Sequence, residues 1–243
     1  VRYPLFEYLV FLDCDSLILS NDFLSRYSKE IQKEAIPDVI VGGRVYSTQK
    51  PSPAYRLRWK YGLKRENKTA GIRNEAPYNS FLSNNFLIKK EILVKFPFEE
   101  SLSGYGHEDT FFAFTLKKNG VSMIHIDNPV LNGDLEDYQV FLAKTAEGIE
   151  NLKKIQKHLA EDPEFFQRIS LFRCYRKIDP FRSFVIFVFD IFRSLIIFMF
   201  SKGIVVLFLF DFYKLGIYLK GEKTEHPFSN DNEIGRHERM SNL

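Results

Sequence analysis

Four carboxylates in two pairs are the residues of this chain whose type and spacing could do chemistry. Asp13 and Asp15 close the apolar run in "YLVFLDCDSLIL" (residues 8–19), and Glu108 and Asp109 close "GYGHED" (residues 104–109). On a strand, side chains alternate between faces, so Asp13 and Asp15 are expected to project together while Cys14 points the other way. Two acids that close repel each other unless a cation or the donors of a ligand offset their charge, and a hard divalent ion with oxygen ligands would do so. In the second pair, Gly104 and Gly106 let the backbone turn sharply into a helix, whose N-terminus favours an ionised carboxylate. An ionised acid beside a cleft is a candidate general base. Each pair also has a plainer reading, since Asp is common in turns and acids are common in the first turn of a helix.

The elements that must position these acids follow from pattern. Residues 8–12 are expected to form a buried strand, and "SNDFLSRYSKEIQKEA" a short helix with Asn21 as cap and Phe23, Leu24, Tyr27 and Ile31 on one face. "DVIVGGRVY" is a strand candidate closed by Gly42 and Gly43. Residues 44–80 show no clear period and hold Trp59, and a loop of that length is expected to be functional. "SFLSNNFLIKKEILVKF" predicts a strand and a short helix. "SGYGHEDTFFAFTLKKNG" predicts a helix stopped by Gly120, and "VSMIHIDNPVL" another strand. From residue 136 to 159, Val140, Phe141, Ala143, Ile149, Leu152, Ile155 and Leu159 fit one amphipathic helix. Alternating strands and helices predict an α/β domain.

Bulk composition bounds the function. With 45% hydrophobic and 16% aromatic residues the 243-residue chain has ample core, and a net charge of +3 does not suggest nucleic acid as a partner. Two cysteines, Cys14 and Cys174, make no disulfide framework and no zinc pattern.

In order, "FLDCDS", "VIVGGRVY", "LRWKYGLKRE", "SNNFLIKKE", "GYGHEDTFF" and "HIDNPVLN", then "FLAKTAEGIENL", resemble the GT-A glycosyltransferases, specifically bacterial members of glycosyltransferase family 2, over about residues 1–155. The resemblance implies a partial GT-A, Rossmann-like domain at 1–160. It also implies a nucleotide-sugar donor held through its diphosphate by Mn²⁺ or Mg²⁺ at the D-x-D. Asp15 would be the direct metal ligand, and Asp13 would contact the donor or reach the metal. Asp109 would take the proton of the acceptor hydroxyl as it attacks the anomeric carbon with inversion, and Glu108 would hold acceptor hydroxyls. Asn84 and Asn85 suit sugar hydroxyls, Asn84 on the donor side and Asn85 on the acceptor side. Trp59, Tyr61 and Tyr105 suit stacking on a saccharide. Arg44, Arg65 and Arg73 are candidates to meet phosphate or to be solvated surface charges, with Arg73 placed on the donor. Where relatives carry a histidine metal ligand this chain has Asn132, and His125 is expected in the core. Only "VRYPLFEYLVF" precedes the D-x-D, so the part that binds the base is expected to lie ahead of Val1.

Two other readings compete. "FLDCDSLIL" also resembles the aspartyl nucleophile motif of haloacid dehalogenase-like phosphatases, with Asp13 as nucleophile and Gly133, Asp134 and Asp137 as a late acidic motif. A catalytically empty, membrane-associated fragment is the third.

Residues 184–218 are densely apolar but interrupted by Asp190, Arg193, Lys202, Asp211 and Lys214. Arg182, Ser183, Asp190, Arg193, Ser194 and Ser201 fall on one side of a helix. After a break at Gly203, Asp211, Lys214 and Tyr218 share a side of a second helix. Two amphipathic helices lying in a membrane interface, within 161–220, are therefore expected, with Arg168, Arg173, Arg176, Lys177 and Arg182 toward anionic headgroups. A helical hairpin packed on the domain is the other reading. The tail at 221–243 is polar and expected to be disordered. The whole predicts a peripheral enzyme at the cytoplasmic face of the inner membrane, acting on a glycan or lipid-linked saccharide acceptor in surface polysaccharide synthesis.

Overall fold

The computed structural model describes residues 6–102, 104–158, 164, 165 and 169–221, so Leu159, Arg168, the side chain of Arg176 and the tail beyond residue 221 lie outside the described residues. The chain is mixed α/β. In order it forms β1 (Tyr8–Leu12), β2 (Ser16–Ile18), α1 (Phe23–Ile31), β3 (Val39–Val41), β4 (Arg44–Val45), α2 (Arg56–Tyr61), α3 (Ala70–Asn74), β5 (Asn85–Lys89), α4 (Lys90–Lys95), α5 (Glu108–Lys118), β6 (Met123–His125), β7 (Val130–Asn132) and α6 (Tyr138–His158). Then come α7 (Ser170–Ile178), α8 (Arg182–Ser201) and α9 (Leu207–Lys220).

The main sheet has the order β1-β5-β3-β6 and a smaller one the order β2-β7-β4. β5 runs antiparallel to both β1 and β3, while β3 and β6 are parallel. All of Val39–Val41 is buried, as a continuous apolar run in a central strand demands. β1 is not the buried strand that its composition predicts. It pairs with β5 on one side only among the described residues, and Val10 and Leu12 stay 40% exposed.

Two apolar runs that each read as one strand are split between the sheets. Residues 38–46 bend at Gly42 and Gly43, the latter at φ +93°, sending β3 and β4 to different sheets. The run 121–131 is likewise divided into β6 and β7, with Asn128 between them donating its amide to the Phe23 carbonyl. Residues 44–80 are not irregular, because they hold α2, a π-helical turn (Gly62–Glu66), α3 and two 3₁₀ turns. Each piece is too short for a period to show in sequence. Asn21 does not cap α1. The N-cap is Asp22, whose carboxylate accepts from Arg26 at 2.9 Å.

The C-terminal helices depart furthest from expectation. One core cluster runs from Leu57 and Phe114 through Phe141, Ile149, Leu152 and Ile155 into Phe189, Phe200 and Phe210. α9 lies against both α8 and α6, burying Phe210, Tyr213, Ile217 and Leu219. Gly216 permits this, since a Cβ there would stand 2.3 Å from the Phe189 ring. Lys214 and Tyr218 are therefore turned onto protein, Tyr218 buried and Lys214 half-buried. Lys214 lies over the rings of Tyr61 and Phe210, and the Tyr218 hydroxyl donates to Gln156 at 2.7 Å. Only α8 keeps an outward apolar stripe, Phe184, Phe187, Ile191, Leu195 and Phe198, each at least 51% exposed. Among the described residues α8 is the one helix long and apolar enough to cross a membrane by length and composition.

Candidate active site

Antiparallel pairing brings the first acidic motif beside "SNN". Leu12 faces Asn85 in the β1–β5 register, and the next amide, of Asp13, donates to the Asn84 carbonyl at 3.0 Å. The strand ends there. Asp13 to Ser16 form a turn closed by the Ser16 amide on the Asp13 carbonyl at 3.0 Å, so Asp13 and Asp15 are turn residues and not a shared strand face. They still feel each other. Burial raises the Asp13 pKa, Arg44 opposes that, and the charge of Asp15 adds to it. Asn132 faces Ser16 across β2 and β7, and the Gly133 amide donates to the Asp15 carbonyl at 3.0 Å, so the structure does bring Asn132 next to Asp15.

The second acidic motif forms the first turn of α5, and the turn before it is fixed by α6. Asn151 donates to the Gly106 carbonyl at 3.2 Å and Glu147 accepts from the Tyr105 amide at 3.2 Å. Gly106 and Gly148 approach so closely that a Cβ on Gly106 would lie 2.9 Å from the Gly148 Cα. His107 follows at φ 69°, the single non-glycine residue with positive φ among the described residues, a conformation that costs on the order of 1–3 kcal/mol. The signal for this in sequence was the Glu147, Gly148, Asn151 spacing on an otherwise amphipathic helix.

Both motifs open onto one cavity of about 450 Å³, lined by Asp13, Arg44, Asn84, Tyr105, Glu108 and Asp109 on one side. Phe141, Leu152, Leu171, Phe210, Lys144 and Lys214 line the other, contributed by α6, α7 and α9. The Asp109 side chain is half-buried and lines the cavity. Burial first, and the neighbouring Glu108 second, push its pKa up to about 7, against the hydrogen bonds from Thr110. The helix N-terminus was expected to keep this acid ionised, but desolvation outweighs it. Its Oδ1 is taken by the Thr110 amide at 2.6 Å and the Thr110 hydroxyl at 3.2 Å. Burial and the charge of Lys214 lower the His107 pKa to about 4.

Among the described residues, the buried side-chain polar atoms without a partner are Asn84 Nδ2, Asn84 Oδ1, Glu108 Oε2 and Arg44 Nε. All belong to side chains that line this cavity. A buried donor or acceptor left unpaired is costly, so a cluster of them marks a polar ligand's place.

Other residues singled out in the sequence are used elsewhere. Asn85 is wholly buried, donating to the Gly43 and Asn128 carbonyls and accepting from Tyr27 at 2.6 Å, so it holds the strand junction and is not open to an acceptor. Arg73 is 4% exposed and bonds His125, Gly42 and Ile126, which takes it away from any donor phosphate. Trp59 donates its indole N–H to the Ser47 carbonyl at 2.7 Å and does not line the cavity. Arg65 pairs with Asp211 of α9 at 2.8 Å. Asp137, proposed for a phosphatase, caps α6 by accepting from the Gln139 and Val140 amides.

Sequence pattern missed the ion-pair network under the cavity. Arg44 pairs with Asp13 at 2.8 Å, and Arg58, 3% exposed, pairs with Glu66 at 3.2 Å and Glu136 at 3.1 Å. Lys144 reaches Glu136 at 2.6 Å, and the Tyr46 hydroxyl bonds both Glu66 and Arg58. The π-helical turn delivers Glu66 to this network, as such turns often do at functional sites.

Among the described residues no three His, Cys, Asp or Glu side chains gather as a metal cage. Two mutually repelling carboxylates with Asn132 beside them nonetheless suit a hard ion such as Mg²⁺, which is bound through one or two carboxylates plus substrate phosphates.

No family model matches the chain, and no curated protein matches it. Among solved structures the chain is similar to the mannosyltransferase PcManGT from Pyrobaculum calidifontis in complex with GDP-Man and Mn²⁺, at 15% identity and a TM-score of 0.47. The match covers 88% of this chain and 60% of that one, so the chain spans about three fifths of the length of that structure.

Proposed function

We propose that this chain carries the D-x-D and acceptor-side elements of an inverting, metal-dependent glycosyltransferase of the GT-A type. The observation that carries it is the convergence of unpaired Asn84, Glu108 and Arg44 atoms with the Asp109 carboxyl on one cavity. An amide that can both donate and accept, beside a carboxylate that accepts, matches the hydroxyls of a sugar. Asp109 Oδ2, left free because Thr110 holds Oδ1, takes the proton of the acceptor hydroxyl. The deprotonating oxygen attacks the anomeric carbon, and the bond to the nucleoside diphosphate breaks with inversion, its electron pair leaving with the phosphate. Asp13, Asp15 and Asn132 would hold Mn²⁺ or Mg²⁺, which when bound offsets charge on the departing diphosphate. The D-x-D and "GYGHED" likeness to family 2 enzymes, and a solved neighbour that binds GDP-Man and Mn²⁺, support the reading.

Calorimetry of the full-length protein with Mn²⁺ and GDP or UDP tests the metal assignment. Affinity for one of the nucleotides should fall at least tenfold in Asp15→Ala. Nucleotide binding that is equal with and without Mn²⁺, or equal in the variant, overturns it.

The enzyme works at a membrane surface in this reading, on the cytoplasmic face and on a saccharide acceptor of a surface glycan. The support is the α8 stripe together with Phe181, Ile204 and Phe208, at 65%, 54% and 76% exposure, since large exposed apolar side chains gathered on one element mark membrane or partner contact. Because α9 and α8 carry part of the shared core, charges on the outer face test this better than truncation. Vesicles containing anionic lipid should retain the protein in 1 M salt, whereas Phe187→Asp with Leu195→Asp should release it without unfolding. Retention of the double variant overturns the assignment of that face.

A further inference from the structure

We infer that His107 is a positioning residue for the acid at 109, acting through the Thr110 hydroxyl to pin one carboxylate oxygen and leave the other for the acceptor. This rests on the transferase reading above. His107 Nδ1 stands 3.3 Å from Thr110 Oγ1, and that oxygen stands 3.2 Å from Asp109 Oδ1. Thr110 has one hydroxyl proton. If it is given to Asp109, the Thr110 oxygen is left to accept, and His107 supplies the proton from Nδ1–H. The neutral ring then has Nε2 as its acceptor, the tautomer fixed by its partner.

The placement of His107 supports a role beyond packing. A left-handed backbone at a non-glycine residue persists where the surroundings enforce it, and here α6 does so through Gly148 and Asn151. Two glycines precede His107 in "GYGHED", yet the strained position itself carries an imidazole. Glycine would remove the strain, so the side chain is retained against a local preference.

Charged groups reach the pair from each packed element. Glu108 adjoins Asp109, Glu66 acts on it from the π-helical turn, and Lys214 of α9 acts on His107. Arg44, Arg58 and Lys144 line the same cavity. The hydrogen bonds from Thr110 favour the ionised form of Asp109, so losing the hydroxyl should move the acid limb of the rate profile to higher pH.

The test uses four variants of the full-length protein. Thr110→Val removes the hydroxyl and Thr110→Ser keeps it. His107→Gly relieves the backbone and removes Nδ1, while His107→Asn tolerates the left-handed backbone and places an amide N–H near the position of Nδ1. Thr110→Val and His107→Gly should each lower transfer about tenfold and shift the acid limb upward, with Mn²⁺-nucleotide affinity unchanged. Thr110→Ser and His107→Asn should restore most of both. The Asp109 carboxyl carbon, followed by NMR in aspartate-labelled protein and assigned with Asp109→Asn, should show the same ordering with no acceptor present. That readout separates the two ideas. If the parent shows no transfer while the titration ordering holds, the transferase reading fails and the positioning role stands. If His107→Gly and His107→Asn titrate alike, or neither differs from the parent, the positioning role is overturned whatever the transfer activity.

Discussion

Asp109→Asn is expected to lower glycosyl transfer by about 10²–10⁴-fold, the usual contribution of a general base, while binding of nucleotide with Mn²⁺ stays within about twofold of the parent. The amide keeps the shape and can still accept from the Thr110 amide at Oδ1, but it cannot take the acceptor's proton. In the parent the rate should rise with pH through about 7, because the carboxyl there is held up to about 7 by burial and by Glu108 and works only when ionised. In the variant the limb should vanish and leave a flat, low rate. The same raised pKa has an opposite sign for stability. A carboxyl whose folded pKa lies above its unfolded value gives its full contribution below the unfolded pKa and loses it as pH rises through the folded one. Asp109→Asn should therefore melt no lower than the parent at pH 8, and higher if the ionised acid strains the site. A variant that transfers within about fivefold of the parent would move the base to Glu108 or elsewhere. A variant that is inactive because it melts early would show as a lowered midpoint in calorimetry.

Arg58→Ala is expected to be the most damaging single substitution outside the apolar core. Arg58 is 3% exposed, and its guanidinium binds Glu66 and Glu136, donates to the Tyr46 hydroxyl at 2.6 Å and stacks over the Tyr46 and Phe141 rings. Its removal leaves Glu66 with Arg44 at 3.8 Å and Glu136 with Lys144, so two carboxylates in a poorly solvated setting lose their shared cation. Breaking a buried ion pair from one side costs about 3–5 kcal/mol, which in a chain of this size corresponds to a fall in Tm of roughly 10 °C. Arg58→Lys should fall between, since an ammonium keeps the charge but cannot fork to two acids. Glu66→Gln made on top of Arg58→Ala should recover part of the loss by removing one uncompensated charge. A midpoint within about 2 °C of the parent in Arg58→Ala would mean that water reaches these acids and the network carries little stability.

The network explains why the cavity was only half visible in sequence. Asp13, Glu108 and Asp109 are conspicuous by type and spacing, and the structure brings them to one cavity. Arg58 and Glu66 sit in a stretch with no period, and the pairing of Arg58 with Glu136 spans 78 residues of chain. Local pattern carries no information on that pairing.

The sequence alone determined the elements whose causes are local. Apolar runs and glycines marked β3, β5 and β6, "GYGHED" marked the start of α5 and Gly120 its stop, and the spacing of Phe141, Ile149, Leu152 and Ile155 marked α6. The break at Gly203 between two apolar helices was legible for the same reason. Tertiary structure alone decided which neighbours in sequence share a fate. Asn84 and Asn85 are adjacent and chemically identical, yet alternation at the start of a strand turns Asn84 to the cavity with both amide atoms unpaired. Asn85 goes under the Gly42 turn with its amide fully used, where even a Cβ on Gly42 would sit 2.4 Å from it. Packing also decided the character of Asp109, because burial outweighs the helix N-terminus that sequence reveals. Likewise the two C-terminal helices look alike in composition, but α8 keeps an outward apolar stripe, while α9, apart from Phe208 at its start, packs against α8 and α6. The physical reason is common to all of these. Hydrogen-bond saturation, desolvation and exposure depend on what the rest of the chain places within a few ångströms, and one-dimensional spacing does not encode those neighbours.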